Sequence, residues 1–124
     1  MLDFFREGGV GMLPVLLFGI VGVAAAGRYA WDVEPTRIRF AVVMLVTLAC
    51  ASIHAMLMNV AGVLWYVQSP ERVTDAELVR TLCTGLMEAT RPGALAGIFV
   101  VLTLAVMSVG VHRESARRIR TASA

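Results

Sequence analysis

The stretch FAVVMLVTLACASIHAMLMNVAGVLWYVQSP, Phe40 to Pro70, contains no Asp, Glu, Lys or Arg. A helix needs about 20 apolar residues to cross roughly 30 Å of hydrocarbon, so an embedded helix drawn from this run must tilt or project beyond the lipid. Up to Val67 its polar side chains are isolated: Thr47, Cys50, Ser52, His54 and Asn59. Trp65-Tyr66 sits near its end, where aromatic rings mark headgroup depth, and Ser69-Pro70 breaks it. Two more uncharged windows flank it, one between Glu7 and Arg28 and one between Arg91 and Arg113. Together they predict an all-α integral membrane protein in one membrane domain over residues 1–124, with spans at about 10–31, 38–67 and 92–112.

Composition agrees, since 58% hydrophobic and 16% charged residues make the chain too apolar for an ordinary soluble domain. All eleven basic residues are arginine, and none stands in a run interleaved with aromatics, so lipid and not nucleic acid is the expected partner. Cys50 and Cys83 lie in or beside apolar segments with no second thiol near in sequence, which argues against a disulfide framework or a thiolate metal site. No nucleophile-base pair, carboxylate dyad within a span or phosphate-binding glycine loop is present, so an enzyme is not expected, nor is a cofactor.

Short loops retain arginines on the cytoplasmic side. Arg28, Arg37 and Arg39 after the first span fall on the same side as Arg113, Arg117, Arg118 and Arg120 in the tail, against Arg6, Arg72, Arg80 and Arg91 on the other. This places the N-terminus outside and the C-terminus in the cytoplasm. Ala24-Ala25-Ala26 has the small-residue look of a signal-peptide cleavage site, but Asp3 and Glu7 outweigh Arg6 where a basic n-region belongs, so the first span is expected to stay.

Before that span, Leu2, Phe4 and Phe5 beside Asp3 and Arg6 predict an interfacial turn ahead of Gly8-Gly9. Pro14 stands where a missing amide costs least, and Tyr29 and Trp31 close the helix at headgroup depth. Gly19, Gly22, Gly62 and Gly97 are the expected helix-packing positions, because association in lipid rests on close approach. Asp32 to Arg39, with Glu34-Pro35, reads as a short polar connection that makes the first two spans an antiparallel hairpin. Thr74-Asp75-Ala76-Glu77 has the form of a capping box opening an amphipathic helix over about 75–90. In it Leu78, Val79, Leu82, Cys83, Leu86 and Met87 form an apolar stripe opposite Glu77, Arg80, Thr81, Thr84, Glu88 and Arg91. Arg91-Pro92-Gly93 predicts a kink before the third span, and the tail from His112 is expected to fray.

Phe4-Phe5-Arg6-Glu7-Gly8-Gly9 followed by Met12-Leu13-Pro14-Val15-Leu16-Leu17 resembles the start of the MotA/TolQ/ExbB proton-channel family. Gly85-Leu86-Met87-Glu88-Ala89 resembles the Gly-x-x-Glu-Ala element before that family's third span. The large cytoplasmic region that the family carries between its first two spans is replaced here by a short loop, so the likeness is to a shortened, divergent member. What it implies is a homo-oligomeric subunit of the bacterial inner membrane that uses the proton gradient with a single-span partner carrying an acidic residue.

The candidate ion-path residues are Glu88, Thr84, Thr90, Thr47, His54 and Asn59. Glu88 either faces water at the membrane edge or pairs with Arg91 three residues on. His54 either relays protons or hydrogen-bonds across helices to Asn59 or Thr47 of a neighbour; alone, it makes a poor metal site. Met44, Met56 and Met58 near it read as apolar filler. Two functions stay open: an ion-translocating subunit like the family, and a non-conducting structural subunit that serves assembly.

Overall fold

The computed structural model describes residues 9–69, 71 and 73–122. Among them are four helices and no strand: α1 (Met12–Asp32), α2 (Pro35–Val67), α3 (Asp75–Ala89) and α4 (Arg91–Ala122). The first two helices, and the run from Asp75 to Arg120 interrupted only at Thr90, are each long and apolar enough to cross a membrane. The interfacial turn expected at Leu2 to Arg6 lies outside the described residues.

α1 opens at Gly9, whose φ of 69° is a glycine conformation. The turn is closed by the Met12 amide donating to the Gly9 carbonyl at 3.1 Å. At the other end the predicted polar connection from Asp32 to Arg39 shortens to Val33 and Glu34. Pro35 accounts for this: its fixed φ suits the first helical position, so α2 starts there. Val33 takes the left-handed conformation at φ 52°, unusual for a β-branched residue, and its amide donates to the Tyr29 carbonyl at 2.8 Å. Arg37 reaches back to both acids of the link, donating from Nε to Glu34 at 3.0 Å and from a terminal nitrogen to Asp32.

α1, α2 and α4 pack side by side, and their contacts run in register from one end to the other. Gly11 meets Ala55, and Gly93 meets Met56. Val15, Leu48, Ala55 and Ala96 form one buried cluster, with Phe18, Leu95, Phe99 and Val100 around it. A Cβ on Gly19 would overlap the Phe99 ring, and Gly22 faces Thr103 and Met44. Ala25, Ala26, Ala41 and Met107 form a second cluster. Gly110 closes the series against the ring of Tyr29, where an added Cβ would lie 2.5 Å from Cε1. From Gly11 to Tyr29 the body is therefore about 27 Å tall at 1.5 Å per residue, close to the thickness of hydrocarbon.

α2, at about 50 Å, is longer than this body. Its last three turns project past the start of α1, and α3 folds back onto them, with Gly85 against Val63. The Thr74 and Glu77 side chains hydrogen-bond each other at 3.0 Å, and Thr74 caps α3 without the side-chain-to-amide bonds of a capping box. The predicted kink is confined to Thr90 (φ −80°, ψ −12°), after which Pro92 enters α4 in its first turn. The tail is helical to Ala122, with Arg118 donating to Glu114 one turn back at 2.6 Å, and its last two residues, where fraying is expected, lie outside the described residues.

Candidate functional site

Three positions on α2 that follow helical spacing, Asn59, Gly62 and Tyr66, face Glu77, Arg80, Thr81, Thr84 and Glu88 on one side of α3. Between them lies a groove of about 700 Å³ with Met58 and Val63 at its apolar edge. Gly62 and Gly85 remove two side chains from the crevice, so the helices converge at Val63 yet leave room above it. Glu88 is half-buried on this wall and forms no hydrogen bond or ion pair with another described residue. Asn59 is half-buried at the mouth next to Gly9, whose added Cβ would lie 3.4 Å from Asn59 Oδ1.

The structure thus brings Glu88, Thr84 and Asn59 together and holds the other candidates apart. Thr90 turns its hydroxyl to the Met87 carbonyl at 2.8 Å, and Thr47 does the same to Val43 at 2.9 Å. His54 is exposed on the outer face of α2, one residue before the Ala55 level where the three-helix body ends. It is central in α2 but not in the body, because α2 overshoots. Gly19 and Gly22 are buried against α4, whereas an added Cβ on Gly62 or Gly97 meets nothing within 4 Å. The close approaches fall instead at Gly11, Gly85, Gly93 and Gly110, besides Gly19.

The interior of the three-helix body is lined almost wholly by apolar side chains. Its buried polar side chains among the described residues are Ser52, which donates to the Ala49 carbonyl at 3.1 Å, and Thr103, whose hydroxyl has no partner. Among the described residues no polar row connects the groove to the other end through the protomer. Among the described residues no three His, Cys, Asp or Glu side chains group as a metal site, and Cys50 and Cys83 are exposed free thiols.

At the far end a polar clamp ties α1 to α4. The buried Tyr29 hydroxyl donates to Glu114 at 3.0 Å, and Arg113 donates to the Ala30 carbonyl at 2.7 Å. Glu114 lies past Val111, the last apolar residue of the third uncharged window. The hydrogen bond from Arg118, then that from Tyr29, hold its carboxyl below the ordinary glutamate value of 4.5. Tyr29, expected at headgroup depth, is buried in this clamp, and Tyr66, expected as an interfacial anchor, lines the groove, as its helical spacing from Asn59 and Gly62 implies. Against known proteins, no family model matches the chain, and neither does any curated protein or solved structure.

Proposed function

We propose that the chain crosses the bacterial inner membrane three times, N-terminus outside, and serves as a non-conducting structural subunit of an oligomeric complex. The apolar interior of the three-helix body carries this reading: among the described residues its buried polar groups are Ser52, Thr103 and, at one end, the Tyr29 hydroxyl, too few and too far apart to line a water path through one protomer. The outward face of α2 supports the oligomer, since the exposed His54 is costly against lipid and is satisfied by a polar group of a neighbouring helix. Gly97, exposed on α4 with nothing within 4 Å of an added Cβ, admits a partner helix to close range.

A second reading, an energy-transducing proton channel like the MotA/TolQ/ExbB family, is favoured by one observation: Glu88, Thr84 and Asn59 share a groove at the end of the body. In that case the path runs between subunits, completed by an acidic single-span partner. Proton flux into liposomes separates the two, measured on the purified chain alone and with any single-span membrane protein that co-purifies with it. The structural reading expects no flux above empty liposomes in either state and an oligomer by cross-linking. Flux that drops tenfold or more in Glu88→Gln overturns it in favour of the channel, and a monomer overturns the oligomer.

A further inference from the structure

We infer that the cleft between α1 and α2 at the arginine-rich end binds one anionic phospholipid, with its phosphate at Arg28 and an acyl chain along Val21, Ala24, Ala25 and Phe40. The inference rests on the membrane-crossing reading above. The cleft encloses about 580 Å³, and its lining changes character along its length. Its floor is apolar and left open because Ala24 and Ala25 stand where larger side chains would fill it. Its rim is polar, formed by Arg28, Glu34, Thr36 and Arg37. That order, apolar inward and cationic outward, is the order of a lipid at the edge of a bilayer. The depth fits as well, since Ala25 belongs to the cluster with Ala41 and Met107, one turn inside the level at which Tyr29 meets Gly110.

Charge selects the headgroup. Arg37 is engaged by Asp32 and Glu34, whereas Arg28 forms no hydrogen bond or ion pair with another described residue. The Glu34 carboxylate on the rim opposes an anion, but it accepts from Arg37 at 3.0 Å and is partly neutralised there. This end of the molecule holds seven arginines (Arg28, Arg37, Arg39, Arg113, Arg117, Arg118, Arg120) against Asp32, Glu34 and Glu114, so the wider field is positive. A free inorganic anion would gain nothing from the apolar floor, which is why the ligand is a lipid.

The test is native mass spectrometry of the full chain in detergent, titrated separately with phosphatidylglycerol, phosphatidylethanolamine and phosphatidylcholine. The wild type is expected to retain one phosphatidylglycerol about five-fold more tightly than either zwitterionic lipid, from roughly one arginine's contribution at a membrane surface. Arg28→Gln is expected to erase that preference, Arg91→Gln at the opposite end to keep it, and Ala24→Phe to weaken all three lipids by filling the floor. Circular dichroism without added lipid checks that each variant folds. Equal retention of the three lipids by the wild type, or an unchanged preference in a folded Arg28→Gln, overturns the inference. Carbonate extraction of membranes keeps the two levels distinct: release into carbonate defeats the membrane reading itself, whereas retention without lipid preference defeats only the site.

Discussion

Gly19 and Gly97 lie on neighbouring helices of similar apolar character and respond oppositely to one added methyl group. A Cβ at Gly19 runs into the Phe99 ring, while one at Gly97 meets open space. Gly19→Ala is expected to cost about 1–3 kcal/mol by overpacking, and Gly97→Ala to raise the stability of the isolated protomer by up to about 1 kcal/mol through helix propensity. Thermal unfolding in detergent reads both. If Gly97→Ala also weakens the cross-linked oligomer, that glycine is a contact between chains. Thr103 gives the second residue-scale test. Its buried hydroxyl has no partner, so Thr103→Val is expected to leave stability unchanged or raise it by about 1 kcal/mol. A loss of more than that means the hydroxyl is satisfied in solution. Which glycines would pack was only half legible, because small size is visible in sequence and the facing side chain is not.

At the scale of elements, the Tyr29–Glu114–Arg118 clamp joins the last turn of α1 to the extension of α4 across 85 residues of chain. Because the folded Glu114 titrates below its ordinary value, its contribution is in place above that value and is lost as pH falls through the lower, folded one. The melting temperature of the wild type should therefore drop further in acid than that of Glu114→Gln, and equal slopes would remove Glu114 from the account. In α4 the basic, small-residue tail stays helical to Ala122 because Arg118 spans one turn to Glu114, the Tyr29 hydroxyl donates to that carboxylate and the Ala30 carbonyl accepts from Arg113. The link between α1 and α2 is shorter than expected. Polar residues from Asp32 to Arg39 look like loop, but Pro35 starts a helix as readily as it ends one.

For the whole molecule, the mismatch in helix length sets the architecture. α1 measures the body, α2 exceeds it, and the surplus of α2 recruits α3 into a hairpin that carries the polar groove beyond the apolar slab. The two exposed cysteines mark the two zones. Cys50 sits within the body, between the levels of Leu48 and Ala55, and Cys83 sits on α3 outside it. A membrane-impermeant maleimide applied to intact spheroplasts is expected to label Cys83 and spare Cys50. Labelling of Cys83 only in inverted vesicles would reverse the orientation read from the arginines, and equal labelling of both would place α2 in water.

From the sequence alone come the all-helical class, the three apolar runs and the polar face on the helix before the last of them, because uncharged length and helical periodicity are local properties. Glu88, Thr84 and Asn59 were legible as polar exceptions for the same reason. Their meeting in one groove, the separation of His54, Thr47 and Thr90 from it, and the apolar interior were decided only by tertiary structure. They depend on how far α2 slides past α1 before Ala55 meets Gly11, and that register is set by the fit of glycines to facing side chains distant in the chain.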